Sequence, residues 1–267
     1  MLTAGACFGA TFPLVLGYAG VQARRAGEPR VIALGAGDAL SVLITAGQSR
    51  LLIATGTDTT AFGNALASAL PFGLRRVDVV LLAGQGRNIS VAAHAARSVR
   101  GRTFAIIDPG LSPDDGDFPS SRPLEVFDGP RQYQLPKGIT VTIVTAHDGE
   151  RSGWRALIAR GQSRIVVLPD GRLSDLFPLH EPVSVLIVTG DYPADAIQAT
   201  QAPAVVVCAE SVSEDALREG IDAVSMTGLF ALTVFAGQAK AIEFVDGGLR
   251  LPGGTRSMTS GEIATKG

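Results

Sequence analysis

Charge, histidine, cysteine and aromatic residues are all scarce in this sequence. Only 18% of its 267 residues are charged and the formal net charge is −2. No overall basic field therefore concentrates nucleic acid around the chain, and any contact with DNA has to be local. The three histidines, His94, His147 and His180, fall in separate stretches with no H-x-H or H-x-x-x-H spacing and no cysteine nearby. That removes the usual sequence signature of a zinc site and favours reading them as surface or satisfied core residues. Cys7 and Cys208 are the whole cysteine complement, one in an apolar terminal segment and one in a β-branched run. Both read as small structural side chains, and they leave the redox compartment open. There is no G-x-S-x-G elbow of the kind a serine hydrolase uses. No repeat of fixed period occurs.

What the sequence does have is apolar bulk, 46% hydrophobic residues, enough to bury the core of one large domain or two small ones. Residues 1–23 carry no charge and are followed at once by Arg24 and Arg25. A spanning helix needs roughly 20 apolar residues, so the length suffices for a membrane anchor over residues 1–25. Pro13 and the glycines weaken that reading, no basic leader precedes the stretch, and an apolar segment docked on the domain is the alternative.

From Arg30 onward, short Val/Ile-rich runs such as LLIAT (51–55), VDVVLLA (77–83), TFAIID (103–108), ITVTIVTA (139–146), RIVVLP (164–169), VSVLIVTG (183–190) and AVVVCA (204–209) have the length and composition of buried strands. Alanine, leucine and charged residues mark helices over Thr59–Ala69, Ser90–Val99 and Ser213–Gly220. Pro109–Pro136, rich in Pro, Gly, Asp and Ser, reads as a long loop or a pair of short edge strands between two halves of similar texture. Strands outnumber helices. The fold class expected is therefore α+β: an αββα sandwich of two mixed sheets packed face to face with helices outside, over residues 30–250, and a polar, disordered tail at 252–267.

The order of these blocks resembles the metallo-β-lactamase-like domain of ComEC-type DNA-internalization competence proteins. Leu34–Gly35–Ala36–Gly37–Asp38–Ala39 stands where that domain has a strand ending in V-G-Q-G-D-A, and Ile53–Ala54–Thr55–Gly56 stands where it has I-D-x-G, so Ala54 replaces the family's aspartate. After VDVVLL the family carries T-H-x-H-x-D-H. Here Ala83, Gln85, Arg87 and Asn88 occupy the four ligand positions, and an arginine would put a fixed positive charge where a dication must sit. Asp170 in VVLPDG matches the family's bridging aspartate, while Thr189, Gly190 and Asp191 replace its V-x-H-H-G-S landmark. The resemblance spans roughly residues 30–248. It implies a framework kept and a chemistry lost, with no cofactor and no zinc. It also implies an attachment to a polytopic membrane channel component, since an apolar segment and an Arg pair before the first strand is the family's usual junction. The arginine pair places the domain in the cytoplasm by the positive-inside rule, whereas competence domains of this type generally lie outside.

Two function classes follow. The first is a non-catalytic binding or structural module at a membrane. The second is an active hydrolase or nucleotide-binding enzyme with a non-standard site. It would use either the Gly84–Asn88 turn, with Asp108 as the acidic partner of a degenerate dinucleotide fingerprint whose third glycine is Ile89, or a carboxylate cluster of Asp38, Asp170 and Asp191. Arg75, Arg76, Arg87, Arg97, Arg100 and Arg102 are expected to form either a basic face near the vacated site, open to single-stranded DNA, or an ordinary solvated face.

Overall fold

In the computed structural model the described residues are 28–70, 76–84, 88–108, 112, 118, 123–127, 129–148, 151–168, 183–188, 205–209, 230–246, 248–251 and 257–259. They form two sheets. The first contains β1 (Arg30–Gly35), β2 (Leu40–Ala46), β3 (Ser49–Ala54), β4 (Arg76–Leu82), β5 (Arg100–Ile106), β6 (Glu125–Val126), β14 (Ala239–Val245), β15 (Gly248–Arg250) and β16 (Ser257–Thr259), in the order β16-β15-β14-β1-β2-β3-β4-β5-β6. The second contains β7 (Arg131–Leu135), β8 (Ile139–Asp148), β9 (Arg151–Arg160), β10 (Ser163–Leu168), β11 (Val185–Val188), β12 (Val205–Ala209) and β13 (Phe230–Val234), in the order β13-β12-β11-β10-β9-β8-β7. Both are mixed. β14, β1, β2 and β3 pair antiparallel and β3 to β6 parallel, while β7 to β10 pair antiparallel and β10 to β13 parallel.

The β2–β3 hairpin turns at Gly47, whose φ of 63° suits a residue without a Cβ. The parallel steps need crossovers instead. Helices α1 (Thr59–Ala69) and α2 (Ser90–Ser98) supply them between β3, β4 and β5. The α1 start is fixed by Asp58, whose carboxylate accepts from the Thr60 and Ala61 amides at 2.8 and 2.9 Å, the usual cap for the unpaired N–H groups of a first turn.

The first sheet is buried on both faces, which is why its strands read as continuous apolar runs. In β1, Val31 and Ala33 enter the layer between the sheets, while Ile32 and Leu34 face the helices. The inter-sheet layer joins Val42, Ile44, Leu51, Ile53 and Leu81 to Ile139, Val141, Trp154, Ile158, Ile165 and Ile187 from the second sheet. On the outer face Leu43, Leu52, Val80, Leu82 and Phe104 pack under Phe62 of α1 and Val91 of α2. The expected two-sheet α+β sandwich is present, with helices on the outside of the first sheet; the stretch expected as a helix at 213–220 lies outside the described residues.

Three details depart from, or sharpen, the sequence reading. β9 is ten residues long and falls in none of the Val/Ile-rich runs, because its inward positions are Trp154, Ala156 and Ile158, separated by Arg155 and Leu157. The Pro109–Pro136 stretch does hold a pair of short edge strands, β6 and β7, one on each sheet. Between them Phe127 stacks on Tyr133 (6.3 Å, 22°) and Arg131 pairs with Glu125 at 2.9 Å. Ser257–Thr259, within the tail expected to be disordered, pairs with Gly248–Arg250.

Among the described residues no helix is long and apolar enough to cross a membrane. The apolar segment 1–25 lies outside them.

Candidate functional site

Strand direction decides where a site can form. β1, β3, β4 and β5 run the same way, so their C-terminal ends share one end of the first sheet. The turn after β13 is bonded to the end of β1, with Gly35 N–H donating to the Gln238 carbonyl (2.8 Å) and Gly237 N–H to the Gly35 carbonyl (3.0 Å). The parallel strands of the second sheet therefore also finish at that end. Crevices outside the carboxyl ends of parallel strands are where α/β proteins place their ligands.

The turns at this end are interlocked. The Ala36 carbonyl accepts from both the Thr57 and Asp58 amides (3.0 and 3.1 Å), and Ala36 N–H donates to the Ala39 carbonyl. Gly37 and Gly56 sit at φ of 89° and 125°; a Cβ on Gly56 would lie 2.5 Å from the Ala36 oxygen. Asp38 accepts a hydrogen bond from the Thr57 hydroxyl and so ties the first turn to the second.

Deeper in, a polar chain runs across the strand ends. Ser41 Oγ accepts from the Thr55 amide (3.0 Å) and donates to the Thr55 carbonyl (2.6 Å); Thr55 Oγ1 donates to the Gly84 carbonyl (3.1 Å); and Gly84 N–H donates to the Asp108 carboxylate (3.3 Å). Ser41 and Thr55 are the two buried polar residues among those described, and burial of such groups is tolerated because each is bonded. Sequence reading did not single out Ser41 or Thr55. Their only signal was a hydroxyl inside an apolar strand for Ser41 and just after one for Thr55.

The expected site positions fall as follows. Ala54 and Ala83 both have zero exposure, the first in the helix-side core and the second between the sheets, and the Ala83 amide donates to the Ala54 carbonyl at 3.0 Å. Asn88 accepts from the Ser90 amide at 2.9 Å, a local turn that starts α2. Asp38 is held by Thr57. Gln85, Arg87, Asp170, Thr189, Gly190 and Asp191 lie outside the described residues, so whether Asp38, Asp170 and Asp191 converge is not shown. His94 is half-buried on α2 with its ring edge against Phe62. Among the described residues no three His, Cys, Asp or Glu side chains come together.

Of the six arginines, Arg75 and Arg87 lie outside the described residues. Arg76, Arg100 and Arg102 sit at the N-terminal ends of β4 and β5, and Arg97 at the C-terminal end of α2. A parallel crossover returns the chain to the starting end of the sheet, so these four lie at the end opposite the strand-end turns and not beside them.

Solved structures similar to this chain are metallo-β-lactamase-fold proteins. They include the Rm3 metallo-β-lactamase (17% identity, TM-score 0.42, covering 59% of this chain and 74% of that one), the MIM-2 metallo-β-lactamase (16%, 0.43, 60% and 73%) and MEM-A1, a subclass B3 metallo-β-lactamase isolated from a soil metagenome library (13%, 0.35, 61% and 80%). No family model matches the sequence, and no curated protein matches it. Overlap this partial says nothing about chemistry; the α+β sandwich stands on the sheet order and the two core layers.

A metal site of the kind that the sequence resemblance implies was lost finds no donor set among the described residues. Ala83, aligned with a ligand position in the sequence reading, is a buried methyl group, and Asn88, aligned with another, accepts the Ser90 amide. The available oxygens of Ser41 and Thr55 are already engaged with backbone, and zinc is held by thiolate, imidazole and carboxylate groups. No step is derived through a metal.

Proposed function

We propose that this chain is a metal-ligand-deficient, non-catalytic domain of metallo-β-lactamase architecture, a binding or structural module that works at a membrane in the manner of the C-terminal domain of competence DNA-uptake proteins. One observation carries the reading. At the end of the sandwich where the parallel strands finish, Ala83, at a ligand position of the resembled family, and Ala54, where that family has an aspartate, are solvent-free methyls, and the described polar groups beside them bond one another along Ser41–Thr55–Gly84–Asp108. Among the described residues, the polar groups at this end serve to hold the turns together. The membrane link rests on residues 1–25 of the sequence alone, with a polytopic channel component as the expected partner. Single-stranded DNA is the weaker candidate, because Arg76, Arg97, Arg100 and Arg102 are remote from the strand-end turns.

The test is elemental analysis of the purified full chain together with a nuclease assay in Mn²⁺. No stoichiometric zinc or manganese and no cleavage of DNA or phosphodiester model substrates is expected. Stoichiometric metal that disappears in Asp170→Ala would overturn the reading.

A nucleotide-binding alternative has one observation behind it: β4, α2 and β5 form a parallel βαβ unit with Gly84 at its first turn and Asp108 just after its second strand. Against it, Asp108 already accepts the Gly84 amide, one of the N–H groups that a phosphate would need. A shift in melting temperature with ATP or NAD, abolished by Asp108→Ala, would favour this second reading.

A further inference from the structure

β7 ends the second sheet. It pairs with β8 over Arg131–Leu135, and among the described residues no strand lies on its other side. Its residues hydrogen-bond to β8, and through the Arg131 and Gln134 side chains to Glu125 and Thr140; among the described residues they bond to nothing further. Arg131, Gln132 and Gln134 are exposed. Alternate residues of an antiparallel edge strand direct N–H and C=O away from their partner, a ready template for another strand.

Proline sets the length of that template. Pro130 precedes β7 and Pro136 follows it, and neither has an N–H to give a ladder. Within the window the two faces differ: Tyr133 and Leu135 pack on the inter-sheet core, so Gln132 and Gln134 lie on the outer face. The window is also complementary to itself. A second, antiparallel β7 centred on Tyr133 sets Tyr133 against Tyr133, Gln132 against Gln134 and Arg131 against Leu135. All five residues are used, and no like charges stand opposite one another. A slip of one residue would oppose inward and outward positions, and a slip of two would set a proline opposite Gln132 or Gln134.

The side chains suit this register. Gln134 Oε1 accepts from the Thr140 hydroxyl at 3.0 Å, which leaves the amide N–H groups of Gln134 to donate to Gln132 of the other copy. Val126, on the edge strand of the first sheet, is 44% exposed. Its neighbour Phe127 stacks on Tyr133, so Val126 adds apolar surface to the same side of the sandwich.

We infer that β7 pairs with β7 of a second copy of this chain, antiparallel about a two-fold axis at Tyr133, and joins the two second sheets into one. Two-fold dimers that use one patch on both copies are the commonest closed assemblies. Five residues a side make a small interface, so the dimer is reversible and concentration-dependent. The inference holds whether or not the strand-end turns are catalytically inert.

The test is sedimentation equilibrium of the full chain in density-matched mild detergent over a series of concentrations. Three double variants at the two exposed glutamines accompany it, with thermal melts to confirm that each folds. Gln132→Lys with Gln134→Lys places lysine opposite lysine twice across the axis, and its dimer should dissociate at least tenfold more readily than the parent's. Gln132→Lys with Gln134→Glu places lysine opposite glutamate and should dimerise within about threefold of the parent. Gln132→Glu with Gln134→Glu should be as weak alone as the double-lysine variant, yet the two mixed should form a heterodimer. A parent that stays monomeric, as it would if this edge served the strand of a different protein, overturns the inference. So does a double-lysine variant that dimerises like the parent, which would place the contact on another face, or a lysine–glutamate variant as weak as the double-lysine one, which would refute the register.

Discussion

Replacing Gly56 by alanine probes the turn that locks the strand ends together. Its φ of 125° is one that residues with a Cβ rarely adopt, and the new methyl carbon would lie 2.5 Å from the Ala36 carbonyl oxygen and 2.6 Å from the Ala36 Cβ. Ala36 cannot easily retreat, because its carbonyl holds the Thr57 and Asp58 amides and its own amide is bonded to Ala39. Backbone strain of this type costs about 1–3 kcal/mol, and forcing extra volume into a packed site adds about 1–3 kcal/mol. Against this, alanine recovers about 0.4–1 kcal/mol through the less flexible unfolded chain. A net loss of about 1–6 kcal/mol follows from these three terms. Gly161 is the control: its φ is 58° and nothing lies within 4 Å of the added methyl, so Gly161→Ala carries only the left-handed penalty of about 1–2 kcal/mol less the same recovery. Trp154, the single tryptophan, is 1% exposed in the inter-sheet core, and its fluorescence reports urea unfolding of both variants. If Gly56→Ala and Gly161→Ala lose stability within about 1 kcal/mol of one another, about a fivefold difference in the unfolding equilibrium, the interlock is not what this geometry says it is.

Other outcomes are expected from the same structure. Ser41→Ala leaves the Thr55 amide buried without its acceptor and should cost about 1–3 kcal/mol; urea melts showing less than about 0.5 kcal/mol would mean that water or a rearranged Thr55 takes the place of the serine. Tyr133, stacked on Phe127, has its pKa pushed up to about 12, first by burial and then by the nearby Glu125 charge, with Arg131 opposing. Its unfolded value is near 10, so the unfolded chain releases this proton first as pH rises. The contribution of Tyr133 is therefore full below pH 10 and is lost as pH climbs toward 12. Urea midpoints measured across that range should fall less steeply for Tyr133→Phe than for the parent, and parallel falls would contradict the assignment.

The sequence by itself determined the strands whose inward residues are β-branched. Runs such as VDVVLL and RIVVL are apolar on both faces, a pattern only a doubly covered strand satisfies, and the excess of such runs over helices was enough to require two sheets. It also determined the two helices described, through alanine, leucine and charged residues in place of β-branched ones, and the structure adds Asp58 as the cap of the first. β9 escaped because Trp154, Ala156 and Ile158 alternate with arginine and leucine, and that alternation becomes a signal only when β8 and β10 are known to flank it.

For the site, the sequence could show which side chains are absent: no histidine, cysteine or carboxylate occupies positions 54, 83, 85, 87 or 88. It could not show what the remaining polar groups do. Ser41, Thr55, Gly84 and Asp108 are far apart in the chain, and their hydrogen bonds exist only because β2, β3, β4 and β5 are adjacent in one sheet. The arginines make the same point in reverse. In sequence Arg76, Arg97, Arg100 and Arg102 flank the glycine turn, but parallel crossovers carry each strand start to the far end of the sheet, so tertiary structure separates what the sequence places side by side. Proximity along the chain is set by covalent bonds and proximity in the fold by strand direction, and strand direction is decided by which apolar faces are buried together.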